Sequence, residues 1–327
     1  MSPEIARAVA CLRAGGLVAF PTETVYGLGA DARNAQAVAK IFALKGRPAG
    51  HPLIVHLAHA AEAARWAAEV PEAARRLAAA FWPGPLTLIL RRGAGIPDAV
   101  TGGQDTVGLR VPDHPIALEL LAAFGSGIAA PSANRHGRIS PTSAAHVREE
   151  LGDSVALVLD GGACRIGIES TIVDLSRGRP VVLRPGAIGA AEIARALGLA
   201  ALPAPEPSGA APRAPGSLAA HYAPRTPLVL AASGALPAEL AAYLARGLRI
   251  AVLSGGGDRI DHPGVIWRRA APDAAGYARE LYAQLRVLDA AALDLILVET
   301  PPEGPEWQAV RERLARAAAS ACGDEAP

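Results

Sequence analysis

The sequence predicts an α/β protein in two parts: a large mixed, twisted sheet with flanking helices, then a smaller doubly wound α/β unit. Three observations carry this. Short apolar runs of strand length alternate with segments of helical period over residues 1–200. The stretch 200–217, AALPAPEPSGAAPRAPGS, holds five prolines and no periodicity, the composition of an extended, semi-rigid linker. Beyond it the β/α alternation resumes on a smaller scale. The expected division is 1–200, a linker at 201–224 that ends in His221-Tyr222-Ala223-Pro224, and 225–327.

Each element has a local reason. Ser2-Pro3-Glu4 supplies an N-cap, a first-turn proline and a first-turn acid; Ile5, Val9 and Leu12 follow at helical spacing, and Gly15-Gly16 stops the helix. An apolar strand at 17–20 runs into Pro21-Thr22-Glu23-Thr24. Asn34 caps a helix carrying Val38, Ile41, Phe42 and Leu44 that ends at Gly46-Arg47-Pro48. Further strands are expected at 53–57, 86–90, 107–111, 128–130, 156–159, 171–175 and 181–183, with helical patterns at 60–81, 115–124, 142–151 and 190–197. In the C-terminal part, strands at 228–230, 249–253 and 295–298 alternate with helices at 237–246, 273–291 and 305–319. Ser254-Gly255-Gly256-Gly257-Asp258 reads as a plain turn before it reads as a ligand loop.

Composition excludes several classes. With 51% hydrophobic and 19% charged residues in a chain of 327, the protein is too apolar for disorder. Thirty-two basic and 31 acidic residues leave a net charge of +1, which argues against strong non-specific nucleic-acid binding. No run of about 18 apolar residues predicts a membrane span. MSPEIARAVACLRAGG reads as a helix and not as a secretory leader. Cys11, Cys164 and Cys322 are odd in number and widely spaced, as expected in a reducing cytoplasm. Thirty of the 32 basic residues are Arg; the only lysines are Lys40 and Lys45, so a retained lysine is a candidate for chemistry that Arg cannot perform.

Polar residues of the first part gather at strand ends, where binding groups are commonly placed. Thr22, Glu23 and Thr24 could orient a small polar ligand or simply cap a turn. Lys45-Gly46-Arg47-Pro48-Ala49-Gly50-His51 puts two cations on one turn, which suits a polyphosphate or the C-terminal dipole of a helix. His56 ends an apolar strand and could be a core histidine. Arg110 lies inside the strand of Thr106-Val107-Gly108-Leu109-Arg110, and so needs a buried carboxylate or an anionic ligand. Ala130-Pro131-Ser132-Ala133-Asn134 opens a hydroxyl- and amide-rich loop reaching Ser140, and Glu169-Ser170-Thr171 and Arg184-Pro185-Gly186 each flank a strand. The sequence has no P-loop, no dinucleotide glycine motif, no nucleophile elbow and no metal-ligand spacing.

The ordered set FPTETVYGLGADA, KGRP with HPLIVH, WPGPLTLIL, TVGLRVPDHP, APSANRHGRISPT, GIESTIVD, LRPGAIG and HYAPRTPL resembles the Sua5/YrdC/YwlC family of L-threonylcarbamoyladenylate synthases in its long, two-domain form. The resemblance implies a YrdC-like catalytic domain and a Rossmann-like C-terminal domain. It implies a reaction of L-threonine, bicarbonate and ATP that gives threonylcarbamoyl-AMP and pyrophosphate, the first step of tRNA t6A modification. Carried over by motif, Thr24, His56, Arg110, Ala130 and Ser170 correspond to a threonine-binding set. Lys45, Arg47, His51, Thr106, Ser132, Asn134, Ser140, Arg184 and Tyr222 correspond to an ATP set, with Lys45 and Arg47 the catalytic pair. Mg2+ is expected on the ATP phosphates, with no metal held by the protein itself. A t6A transferase complex and tRNA or double-stranded RNA are expected as partners, and a membrane is not. The alternative is an RNA-binding or ribosome-maturation factor of the same fold without synthase activity. A carbamoyltransferase-type domain is a third reading, set aside because such chains are much larger and rich in cysteine.

Overall fold

The computed structural model describes residues 1–203, 211–216, 221–232, 234–256 and 259–319. The chain divides into two compact units: Met1–His136, Pro141–Arg165 and Glu169–Ser217 in the first, Gly137–Ser140, Ile166–Ile168 and Leu218–Pro327 in the second.

The first unit is built on β1 (Val18–Phe20), β2 (Gly27–Asp31), β3 (Ile54–His56), β4 (Leu86–Arg91), β5 (Thr106–Arg110), β6 (Ile128–Ala129), β7 (Leu157–Val158), β8 (Thr171–Asp174) and β9 (Val181–Arg184). These join as one sheet in the order β7-β1-β2-β6-β3-β5-β4-β8-β9. Pairs β1/β7, β3/β5 and β4/β8 are parallel, and the remaining neighbours antiparallel, so the sheet is mixed as expected. Its helices are α1 (Pro3–Arg13), α2 (Ala35–Lys45), α3 (Glu72–Phe81), α4 (Asp98–Thr101), α5 (Pro115–Phe124), α6 (Ala144–Leu151) and α7 (Ala190–Leu197). One apolar core joins Ile5 and Leu12 of α1, Leu120 of α5, Phe20 and Ile128. A second joins Ile41 of α2, Leu77 of α3 and Ile193 of α7 to Val55, Leu88 and Leu109.

Local chemistry sets the boundaries. Asn34 Oδ1 accepts from the backbone N–H of Gln36 and Ala37, both at 3.0 Å, and starts α2. Gly46 ends the helix in the left-handed region at φ 64°. The helical pattern at 60–81 is in fact a 3-10 turn, Ala60–Arg65, followed by α3, because Pro71 disfavours helical backbone at Val70 and begins a new helix. Strand β2 lies where only a motif loop was expected. Its glycines are required: a Cβ on Gly29 would lie 2.8 Å from both the Phe20 ring and Ile128.

The linker reading needs amending where the chain is described. Arg213 N–H donates to Gln104 Oε1 at 2.7 Å, its Nη2 donates to Gly102 O at 2.8 Å, and Ala214 is buried against Ile89 and Ile172. Residues 211–216 are thus strapped to the first unit and are not a free spacer. Residues 204–210 and 217–220 of the linker, Gly257 and Asp258 of the glycine loop, and Cys322 lie outside the described residues.

The second unit carries β10 (Leu228–Ala231), β11 (Ile250–Ser254), β12 (Val265–Arg269) and β13 (Leu295–Glu299), all parallel, in the order β10-β13-β11-β12. With α8 (Leu236–Ala245), α9 (Ala274–Ala290) and α10 (Gln308–Ala319) it is the expected small α/β unit plus one strand. The strand not foreseen, β12, is a sheet edge with partly exposed side chains including Arg268 and Arg269, so its hydrophobic signal is weak.

Because Asn34 holds the start of the helix that ends at Lys45, Asn34→Ala should cost about 1 kcal/mol. Urea unfolding checks this as a lower midpoint with an unchanged slope.

Candidate active site

Strands β3, β4 and β5 divide their side chains between two faces. Val55, Leu86, Leu88, Leu90, Val107 and Leu109 enter the core shared with α2, α3 and α7. The alternate residues Ile54, His56, Thr87, Thr106 and Arg110 occupy the other face. Gly108, between Thr106 and Arg110, leaves room there: a Cβ on it would meet Ile89, Ile54 and Thr87. His56 and Arg110 are cross-strand partners.

Arg110 is 4% exposed. Its Nη2 lies 2.7 Å from Glu23 Oε1, and its Nε donates to Gly84 O at 3.3 Å. Glu23 Oε2 in turn accepts from the backbone N–H of Asp113 at 3.0 Å. A buried carboxylate therefore supplies the partner that an intra-strand arginine requires. The 2.7 Å ion pair is not aligned as a hydrogen bond, so Nη2 keeps N–H groups for a further acceptor.

His56 is buried beside this guanidinium, edge-on to Phe20 with ring centroids 5.9 Å apart. Burial first, and then the charge of Arg110, push its pKa down to about 3, so the imidazole is neutral. Its Nδ1 has no hydrogen-bond partner.

The Thr22–Thr24 turn resolves into two roles. Thr22 Oγ1 donates to Val25 O at 2.7 Å and accepts from the N–H of Thr24 and Val25, each at 3.2 Å. Its one proton is thereby used, so the Thr24 hydroxyl is the donor across the 2.8 Å contact between them. Thr22 is the turn-former, while Thr24 keeps lone pairs for an incoming donor.

Ser170 is held from two sides. Arg184 donates through Nε and Nη2 to Ser170 O, at 3.1 and 2.9 Å, and through Nη2 to Ser170 Oγ at 3.1 Å. Thr87 Oγ1 lies 2.8 Å from the same hydroxyl. The glycine of Arg184-Pro185-Gly186 makes this approach possible, since a Cβ on Gly186 would lie 2.4 Å from Thr171 N and 2.8 Å from Glu169 O.

At the end of α2, Lys45 is 3% exposed and its Nζ donates to Ser132 O at 2.6 Å and to Asn134 O. Burial, then neighbouring Arg47, hold its pKa well below the usual lysine value, with Glu150 acting in the opposite sense. Arg47 Nη2 donates to Pro52 O at 3.1 Å. His51 and His136 meet edge to face, 5.7 Å between centroids. Burial, then Arg47 and Lys45, push His136 down to about 4; burial, then Arg47 and Arg213, lower His51. Asn134 Nδ2 donates to Arg135 O at 2.7 Å, and Ala130 N–H donates to Ile54 O at 3.0 Å. Bonds from Leu28 N–H to Pro131 O and from Ala133 N–H to Tyr26 O stitch this loop to the strand that follows Thr24.

The contacts thus bring together Thr24, His56, Arg110, Ser170 and Arg184 around one sheet face, and Lys45, Arg47, His51, Ser132 and Asn134 around the adjoining loop. Thr106 shares the face of Arg110. Ser140 and Tyr222 belong to the second unit. There Ala223 N–H donates to Gly137 O at 2.8 Å, and Tyr222, with φ 65°, is buried and stacked on Tyr282 at 5.7 Å. Sequence reasoning did not assign Thr87, although a threonine inside the run Leu86–Leu90 was a readable signal. It also left Glu23 without its role as the partner of Arg110.

A family model described as Telomere recombination, covering Sua5, YciO and YrdC, matches residues 10–186. One described as Threonylcarbamoyl-AMP synthase, C-terminal domain, matches 188–319. The chain belongs to the Sua5/YrdC family. Among its Sua5/YrdC relatives, the threonylcarbamoyl-AMP synthase of Pyrococcus abyssi is 40% identical over 94% of this chain and 91% of its own. That of Bacillus subtilis is 40% identical over 97% and 93%. The crystal structure of Pyrococcus abyssi Sua5 complexed with L-threonine superposes with a TM-score of 0.89 at 40% identity, covering 97% of this chain and 94% of that one.

The neutrality of His56 has a measurable consequence. Its pKa is about 3 in the folded protein against 6.5 for the free side chain, so between those values the unfolded chain binds a proton that the folded one lacks. The stabilisation is complete above pH 6.5 and is lost as pH falls toward 3. Between pH 7 and 5 it should fall by about 2 kcal/mol, and His56→Asn should flatten that dependence in urea titrations at each pH.

Proposed function

We infer that this chain makes L-threonylcarbamoyl-AMP from L-threonine and ATP with release of pyrophosphate. The carrying observation is chemical. Lys45, Arg47, Arg110 and Arg184 are each 8% exposed or less in one unit, where the buried acids of the same loops are Glu23 and Glu169. Burying basic side chains is costly, as the lowered pKa of Lys45 shows, and anions arriving at them would offset that cost. A triphosphate, a threonine carboxylate and a carbamate are such anions. The full-length likeness to synthases, one solved with L-threonine, supports the same reading.

The threonine amine condenses with bicarbonate to the carbamate with loss of water, and the carbamate oxygen attacks the α-phosphate as pyrophosphate leaves. Arg110 takes the threonine carboxylate on its Nη2 edge, as a planar guanidinium can. Thr24 accepts from the amine; neutral His56, Ser170 and the backbone at Ala130 complete that pocket. Lys45 and Arg47 stabilise charge on the phosphates, with His51, Thr106, Ser132, Asn134 and Arg184 lining the nucleotide side. Ser140 and Tyr222 are proposed to act on ATP as well. Mg2+ arrives on the triphosphate. No helix among the described residues is long and apolar enough to cross a membrane, and the cytoplasm is the proposed location. The threonylcarbamoyl group then passes to tRNA through a t6A transferase complex.

Incubation with ATP, Mg2+, bicarbonate and L-threonine should yield threonylcarbamoyl-AMP and pyrophosphate only when all four are present. Pyrophosphate released equally without threonine or without bicarbonate would sink the reading. Lys45→Ala and Arg110→Ala should each slow turnover by about two orders of magnitude or more, the scale of one lost electrostatic stabiliser.

A further inference from the structure

The second unit carries a polar cluster at the carboxyl end of its sheet that the synthase chemistry does not use. In its sheet, β13 and β11 are neighbours whose outgoing chains leave in opposite directions. From β13 the chain enters α10, which packs on β10; from β11 it continues to β12 on the other side. Adjacent parallel strands with diverging connections open a crevice at their carboxyl ends, the place where α/β sheets hold ligands. The residues at those two ends are Ser254 and Glu299.

Hydrogen-bond bookkeeping there does not balance. Ser254 Oγ lies 2.5 Å from Gly256 O and 2.6 Å from Glu299 Oε2, with one proton for two acceptors. The N–H of Gly256 is 3.3 Å from both Ser254 Oγ and Glu299 Oε2, a long and shared contact. No basic side chain among the described residues is ion-paired with Glu299. The nearby phenol of Tyr277, at the start of α9, is 4% exposed and its hydroxyl has no partner at all. Trp307 packs against its ring, 5.7 Å between centroids. Helix α9 begins after the carboxyl end of β12, which runs parallel to β11 and β13, so Tyr277 belongs to the same end of the sheet as Ser254 and Glu299. Burial, and then the charge of Glu299, push its phenol up. An orphaned buried hydroxyl is a cost the fold retains without return unless a ligand meets it.

Acceptors in excess call for a ligand that brings donors. A phosphate is disfavoured, because Glu299 repels it and no helix among the described residues begins between β11 and β12 to bind an anion. A vicinal diol presents two donors side by side to one carboxylate, and an acid at a strand end is how doubly wound sheets hold ribose. We propose that Ser254, Glu299 and Tyr277 form a binding site in the second unit for the ribose hydroxyls of a ribonucleoside.

Thermal-shift and calorimetric titrations of the full-length protein test this with adenosine, guanosine, cytidine and uridine, each against its 2′-deoxy counterpart. At least one ribonucleoside should bind and raise Tm, with its deoxy form about tenfold weaker or worse. Glu299→Gln and Tyr277→Phe should each weaken binding by about tenfold or more, the loss of one hydrogen bond to a charged or buried group, while synthesis of threonylcarbamoyl-AMP continues. Tyr277→Phe should also raise the Tm of the ligand-free protein, since it removes an unsatisfied hydroxyl, and that keeps the test readable if Glu299→Gln unfolds. Lys45→Ala should leave nucleoside binding unchanged, which separates this site from the one for ATP. The proposal is overturned if no ribonucleoside binds, or if binding survives in Tyr277→Phe and Glu299→Gln but disappears in Lys45→Ala.

Discussion

A guanidinium in the middle of a sheet cannot stand without a counter-charge, and much of the first unit follows from how Arg110 is accommodated. Its partner Glu23 comes from the turn after β1, so pairing the two folds that turn over the sheet face. The backbone of Asp113 fixes the other carboxylate oxygen, closing the turn against the segment that follows β5. The same charge helps to keep His56 neutral on the adjacent strand. A buried ion pair of this kind is a poor source of net stability, because desolvation offsets most of the attraction. Its contribution lies in position: Thr24 is held one residue from Glu23, the partner of Arg110.

Backbone carbonyls help to hold the other basic side chains. Lys45 rests on the carbonyls of Ser132 and Asn134, Arg47 on that of Pro52, and Arg184 on those of Ser170 and Pro215. Carbonyl oxygens orient a cation without cancelling its charge, whereas a carboxylate would do both. For Lys45 the result is an ammonium held in place before any anion arrives, the arrangement in which electrostatic stabilisation needs no reorganisation. The pKa of Lys45 shows the strain in that solution, since carbonyls do not fully offset burial beside Arg47. An incoming phosphate would.

The fold was legible where periodicity and turn chemistry were strong. Strands such as β4 and β5 read plainly because alternate residues enter one core, and the caps at Ser2 and Asn34 act as their residue types require. Strand β2 was hidden because its glycines answer to a tertiary demand, the space occupied by the Phe20 ring. Strand β12 was hidden by its exposed edge. The docking of residues 211–216 depends on Gln104 and Arg184, more than a hundred and about thirty positions away, and no local pattern encodes it. For the site, an arginine inside a strand announced a need for a partner, and the motif order supplied the rest by resemblance. That Glu23 would be the partner, and that Thr24 and not Thr22 would keep free lone pairs, required the hydrogen bonds themselves.

The scarcity of lysine takes on a more specific meaning against this background. Both lysines end on backbone carbonyls: Lys40 Nζ donates to Gly15 O at 2.6 Å, and Lys45 Nζ to Ser132 and Asn134 O. A compact ammonium with three rotatable donors can converge on two carbonyls of one turn, while a planar guanidinium must spread its donors along a fixed fork. Lys45 uses this to brace the loop that reaches Asn134, while Lys40, on the single carbonyl of Gly15, ties α2 to the glycine turn after α1. The chain therefore keeps lysine at two places where a compact ammonium braces backbone carbonyls, and only one of them lies among the buried polar groups of the candidate site. Retention of a rare residue marks a constraint on shape, and function has to be argued from what else converges on the same atoms.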